Sequence, residues 1–110
     1  MTGLQHKDLA SGRWEEKSIV EQLGHVGSEI SRAVRWTGRN PDLARQAFYR
    51  ALELLDLTLA DPRHSRARLR EVARAREVVV DFFEGQNEYG STAPSLQKYF
   101  DAYALAVRRA

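Results

Sequence analysis

The segment 43–60, LARQAFYRALELLDLTLA, most constrains the fold, because its apolar residues occupy more than one face of a helix. Asn40 can cap its start with a side-chain oxygen, and Pro41 loses no hydrogen bond at the first helical position. Pro62 ends it, because the residue before a proline avoids the α conformation. The pattern predicts a helix over 41–60. A helix that is apolar this far round is contacted from several sides, by neighbouring helices or by a second subunit.

Three more helices are predicted around this one. Ser18 begins a capping-box pattern, and apolar residues then recur at steps of four and three, which predicts a helix over 18–36. A third helix is predicted over 64–84, with Gly85 in the left-handed conformation that often caps a helix, and a fourth over 94–108. Short connections favour antiparallel neighbours, so we predict an all-α fold, an antiparallel up-down-up-down four-helix bundle.

The length of 110 residues fits a flexible N-terminal tail, 1–13, and a single helical-bundle domain, 14–110. The absence of cysteine excludes a disulfide scaffold and thiolate metal sites. A net charge of +2 does not by itself predict a nucleic-acid partner. No apolar run resembles a secretory signal or a membrane span, so we expect a cytoplasmic protein without a membrane partner.

Small residues lie beside the apolar seam of the first helix, at Gly24, Gly27 and Ser31. A glycine inside a helix costs about 1 kcal/mol relative to alanine, so some contact should compensate. Three explanations are open: close approach of another helix of the same chain, a self-association surface, or approach of a ligand to the backbone. Together with the apolar Leu54 and Leu57 of the second helix, these residues are the predicted interface.

Two acidic pairs, Glu53 with Asp56 and Glu77 with Asp81, lie on the second and third helices. They resemble the arrangement with which all-α nucleoside triphosphate pyrophosphohydrolases hold magnesium. The second pair is spaced by four residues rather than three, and the lysines expected to bind triphosphate are missing between the pairs. Either these acids bind a divalent metal for nucleotide hydrolysis, or they are solvated and balance nearby arginines. We expect no resident metal or cofactor.

The stretch 63–76, RHSRARLREVARAR, is rich in arginine. Basic residues at a helix N-terminus oppose the helix dipole, so helix stability does not explain them. Either they form a solvated or ion-paired face, or they contact phosphate groups of a nucleic acid. No helix-turn-helix signature or aromatic platform accompanies them. The candidate phosphate-binding residues are Arg63, Arg66, Arg70 and Arg74.

Arg76 falls among the apolar residues of the third helix, so its charge must be paired or reach solvent. Glu29 and Asp56 on facing helices are the expected partners, in a buried polar network that more often specifies packing than catalysis. Glu21, His25 and Glu29 recur every four residues, which favours an ion-pair ladder over a metal site.

Three segments resemble a family of small prokaryotic helical proteins without an assigned activity. They are EQLG…GSEISRA over 21–33, RALELLDLT…DP over 50–62, and NEYGST…YF over 87–100. The resemblance covers most of residues 18–108 and implies a compact helical fold without implying catalytic residues.

No recognised catalytic motif is present in the chain. The Arg-x4–6-His ribonuclease motif of HEPN toxins is absent, as are a P-loop, Gly-x-Gly-x-x-Gly and Gly-x-Ser-x-Gly. We therefore predict a non-catalytic helical interaction module that self-associates as a homodimer or binds a protein partner. The alternatives are the metal-dependent nucleotide hydrolase and a nucleic-acid-binding accessory that uses the arginine-rich start of the third helix.

Overall fold

The computed structural model of the chain describes residues 13–109, without the side chains of Ala104 and residues 106–109. This part of the chain contains four α-helices and no β-strand, which confirms the predicted all-α class. The predicted tail, 1–13, lies outside the described residues except for Arg13. None of the described helices is long and apolar enough to cross a membrane. The elements are a 3₁₀ turn, Arg13–Glu16, and the helices α1, Ile19–Trp36, α2, Pro41–Leu59, α3, Arg66–Phe83, and α4, Ala93–Arg109.

The helix starts follow local capping interactions. The Ser18 hydroxyl accepts from the Glu21 N–H at 3.1 Å, and the Glu21 carboxylate accepts from the Ser18 N–H at 3.0 Å, which completes the capping box. Asn40 caps α2 through its side-chain oxygen. Helix α3 begins two residues later than predicted, because the Ser65 hydroxyl caps it by accepting from the Arg68 N–H at 3.1 Å.

The loop after α3 differs from the prediction for Gly85, because the positive φ values belong to Asn87, at 55°, and Gly90, at 66°. Asp81 is the reason: its carboxylate accepts two N–H groups of the loop, one of them that of Tyr89 at 3.0 Å, and so fixes the loop without a left-handed Gly85. Glycine is needed at position 85 for space, since a Cβ there would lie 3.0 Å from the Asp81 backbone.

The inner helices α1 and α2 carry most of the core. Helix α1 packs against α2 and also against α4, whereas α3 packs against α2. Within the described residues, α3 and α4 are not among the helix pairs that pack closely. One side of the helical bundle is therefore left open. The buried apolar side chains of the two inner helices are Leu23, Val26, Ile30, Ala33, Ala47, Phe48, Ala51, Leu54 and Leu55.

The small residues of α1 are used within the chain. A Cβ at Gly27 would lie 2.7 Å from the Cβ of Phe100, so glycine is what lets α4 approach α1. Gly24 and Leu54 are also buried, and Leu57 is half-buried against the core. These predicted interface positions therefore pack inside the chain. The fifth of them, Ser31, is half-buried on α1.

We expect Gly27→Leu to lower the free energy of unfolding by about 1 to 3 kcal/mol, because the larger side chain forces α4 away from α1. Ser28→Leu is the matched control, since the neighbouring Ser28 is exposed and should tolerate the same side chain within about 0.5 kcal/mol. Urea denaturation followed by circular dichroism measures both. Equal effects of the two substitutions would contradict the close approach.

Candidate functional site

The open side of the bundle is an apolar groove between α3 and α4, with a volume of about 260 Å³. The α3 residues that line it recur at helical spacing, so they share one face of that helix. Ser91, in the loop before α4, and Ser95, near the start of α4, also line it. We call this cavity the α3–α4 groove, and its lining residues are Glu71, Arg74, Ala75, Val78, Ser91, Ser95, Leu96, Tyr99 and Phe100.

The groove stays open because each outer helix uses its most apolar face elsewhere. Phe100 of α4 is 1% exposed and lies against α1, and Val72 and Val79 of α3 are fully buried in the core. Val78 remains half-buried at the groove, and Tyr99 is 37% exposed. The apolar surface of α3 and α4 therefore continues from the core into the groove.

The Tyr99 phenol does not supply an ionisable group to the groove. Burial raises the pKa of Tyr99, and a side-chain hydrogen bond with Tyr103 acts in the same direction. Its hydroxyl stays protonated across the physiological range, so the aromatic surface of the groove remains neutral.

Two charged residues of α3, Glu71 and Arg74, lie in the groove lining. The Glu71 carboxylate accepts from Arg68 at 2.9 Å through its Oε1 atom. Arg74 makes no hydrogen bond and no ion pair with any residue that the structure describes. Arg74 therefore keeps its hydrogen-bond donors available in the groove, whereas six other arginines have acidic partners. The ion-paired arginines are Arg32, Arg45, Arg50, Arg63, Arg68 and Arg76.

The loop before α4, which contributes Ser91 to the groove lining, is fixed by its own hydrogen bonds. Asn87 and Ser91 exchange two of them, both at 2.8 Å, and the Tyr89 hydroxyl donates to Glu77 at 2.9 Å. The hydrogen bond to Glu77 raises the pKa of Tyr89, so this contact also persists at neutral pH. The loop that contributes Ser91 to the groove lining is therefore held in place by α3.

The predicted metal-binding acids have separate contacts. Asp56 accepts from Arg76, Glu77 accepts from Tyr89, and Asp81 holds the loop. Glu53 is half-buried on α2. Among the described residues, no group of three or more histidine, aspartate and glutamate side chains is arranged to hold a metal ion.

The arginines predicted to bind phosphate are divided in the same way. Arg63 donates to the Asp61 carboxylate, with its Nη2 atom 2.6 Å from Oδ2. Arg66 and Arg70 are exposed on α3, and Arg74 lies in the groove. The four predicted phosphate-binding arginines therefore have different surroundings: one is paired with Asp61, two are exposed, and one lines the groove.

The predicted network of Glu29, Asp56 and Arg76 is divided in the structure, because Arg76 pairs with Asp56 whereas Glu29 pairs with two other arginines. Arg76 donates to Asp56 at 2.8 Å, and the side chains are 35% and 57% exposed. Glu29 is buried but lies 3.2 Å from Arg50 and also from Arg32. Among the described residues α1 and α3 are not a closely packed pair, so Glu29 of α1 meets Arg50 of α2 rather than Arg76 of α3.

A buried polar cluster at one end of the bundle was not predicted. Asp61 and Gln22 are fully buried, and the Gln22 amide donates to the Asp61 carboxylate at 2.9 Å. The Trp14 indole donates to the Thr58 hydroxyl at 3.0 Å. The His64 Nε2 atom lies 2.7 Å from the side-chain amide oxygen of Gln22. These hydrogen bonds hold the 3₁₀ turn before α1 against the connection between α2 and α3.

The sequence signal for this cluster is the helix-ending Asp61-Pro62 pair followed by Arg63, an acid next to the arginine-rich stretch 63–76. The Arg63 guanidinium holds the pKa of the Asp61 carboxyl well below its usual range, against the opposing effect of burial. The cluster is therefore a charged, satisfied structural contact at neutral pH.

Comparisons with protein-family models, with curated proteins and with solved structures found no match to the chain. The resemblance to a family of small helical proteins therefore stays a prediction.

Replacing Asp61 with asparagine should lower the free energy of unfolding at neutral pH by about 1 to 3 kcal/mol, because the buried carboxylate that accepts from Arg63 and Gln22 becomes a neutral amide, while solvent screens the partly exposed Arg63. Folding lowers the Asp61 pKa, so its contribution is complete above the ordinary value of 3.8 and is lost as the pH falls further. Urea unfolding at a series of pH values should show a steeper acid loss in the wild type than in Asp61→Asn.

The matched control is Asp42→Asn, because Asp42 forms an ion pair while its side chain is 84% exposed. This variant should keep the wild-type acid dependence. Identical pH profiles for Asp61→Asn and the wild type would contradict the role of the buried carboxylate.

Proposed function

We propose that the protein is a non-catalytic helical interaction module that self-associates as a homodimer through the α3–α4 groove. The single observation that carries the proposal is this apolar groove, which the packing of the chain leaves uncovered. Exposed apolar surface that continues from a core is typical of a protein-interaction site. The cysteine-free composition is compatible with our expectation of a cytoplasmic location.

The shape of the groove suits a partner helix. Its volume is about 260 Å³. It is also an open cleft bounded by two helices, into which a third helix can insert apolar side chains by ridges-into-grooves packing. Val78, Tyr99 and Ala75 supply the apolar surface for that contact.

The metal-dependent hydrolase is the weaker hypothesis. Asp56, Glu77 and Asp81 each accept hydrogen bonds that hold α2, α3 or the following loop. A shared metal site would require these contacts to be given up. The arrangement of the acids thus supports structural roles for them.

The proposal includes the up-down-up-down antiparallel topology. One contact supports the antiparallel direction of α1 and α2: Gln22, early in α1, reaches Asp61 just after the end of α2.

We expect light scattering to give the mass of two chains at high concentration and a decline towards one chain on dilution. Val78→Lys should remove the dimer, because it places an uncompensated charge in an apolar contact. Val80→Lys is the matched control, since Val80 is equally half-buried on α3 but does not line the groove. A thermal melt of each variant checks that it folds.

A single-chain mass for the wild type at every concentration would overturn self-association and leave the groove to a different protein partner. Equal loss of the dimer in Val78→Lys and Val80→Lys would place the contact elsewhere.

Magnesium or manganese should leave the melting temperature unchanged, because a ligand stabilises a folded protein only by binding it and the acidic side chains are engaged in other contacts. Differential scanning fluorimetry with each metal and with EDTA measures this. A rise that saturates with metal concentration and disappears in Glu77→Gln would support the hydrolase instead.

A further inference from the structure

We infer that the two copies meet through α3 in an antiparallel, two-fold symmetric contact, in which Glu71 of each copy binds Arg74 of the other. This inference rests on the proposed self-association and specifies its geometry. A second copy of this chain occupies the groove. The charges of Glu71 and Arg74 in the groove lining support this choice of partner.

One stripe of α3 carries the complementary pattern. Ala67, Glu71, Arg74 and Val78 follow one another at steps of four, three and four, the spacing of a helix-packing seam. Glu71, Arg74 and Val78 line the groove, and Ala67 is exposed one turn before them. The stripe therefore has two charges at its centre and an apolar residue at each end.

The order of these residues makes the stripe complementary to its own reverse. A two-fold axis that crosses α3 midway between Glu71 and Arg74 places each of these charges opposite the other in the second copy. The same axis places Ala67 opposite Val78. A parallel contact would instead place Glu71 against Glu71 and Arg74 against Arg74, and such like-charge contacts disfavour association. An isologous antiparallel contact therefore satisfies both charges and both apolar ends.

The contacts within the chain leave the Glu71 carboxylate and the Arg74 guanidinium able to form hydrogen bonds with a second copy. Arg74 has no hydrogen bond or ion pair to the described residues. The Glu71 carboxylate uses Oε1 for Arg68, and within the described residues no donor is bonded to Oε2. The second copy's Arg74 can bind Oε2, and the closing groove excludes water from the pair. Charge-assisted hydrogen bonds of this kind strengthen in a drier environment.

The test uses two charge reversals, Glu71→Arg and Arg74→Glu, in the full chain. Each variant alone faces two like-charge contacts in the symmetric dimer, so its dissociation constant for homodimers should rise about tenfold or more. A mixture of the two variants restores both attractive pairs and should form heterodimers about as tightly as the wild type. The double variant, Glu71→Arg with Arg74→Glu, should form homodimers again.

Native mass spectrometry with one variant carrying a mass tag separates homodimers from heterodimers, and light scattering gives the dissociation constants. Arg35→Glu is the matched control, because it makes the same charge change as Arg74→Glu at an exposed position of α1. This control should keep the wild-type dissociation constant. Recovery in the mixture also shows that both single variants fold.

The outcomes distinguish this inference from the proposed function. A dimeric wild type whose single variants dimerise normally, or whose mixed variants gain no heterodimer, would overturn the Glu71–Arg74 contact and leave self-association standing. A wild type that is monomeric at every concentration would overturn the homodimer itself. Loss of dimer in both single variants with preferential heterodimer formation in the mixture is the result expected of the antiparallel contact.

Discussion

The close approach of α4 to α1 at Gly27 determines where the remaining apolar surface of the protein lies. Phe100 occupies the space that a side chain at position 27 would need, so α4 is held by α1. Helix α3 packs against α2, and its Val72 and Val79 are fully buried in the core. The two outer helices are therefore fixed by the inner pair rather than by each other, and the α3–α4 groove is the consequence.

Buried or bridging carboxylates fix both ends of α3. Before the helix, the Asp61 carboxylate accepts hydrogen bonds from Arg63 and Gln22. It thereby joins the turn that precedes α3 to α1. After it, Asp81 accepts the N–H groups of the loop that leads to α4. Since its two ends are tied by interactions within the chain, α3 presents its groove face as a preorganised surface. Preorganisation lowers the entropy lost on association, which favours a role in protein interaction.

The charged residues divide into two sets by their contacts. Six arginines form ion pairs among the described residues, as Arg50 does with Glu29 and Arg76 does with Asp56. Arg74 forms none among the described residues, although it lies at the edge of an apolar groove. Such a group adds little to the stability of a monomer, but it can select the orientation of a partner. The charge of Arg74 therefore bears on the specificity of association rather than on catalysis.

The all-α class and most helix ends follow from the sequence, because capping at Ser18 and Asn40 involves residues within one turn of each other. Three other features depend on how the helices pack: Gly27 meets Phe100, Glu29 pairs with Arg50 instead of Arg76, and Asp61 is buried. Periodicity shows which face of a helix is apolar but not which helix covers it. The groove, as surface that no helix covers, depends on that choice of neighbours and so could not be read from the sequence.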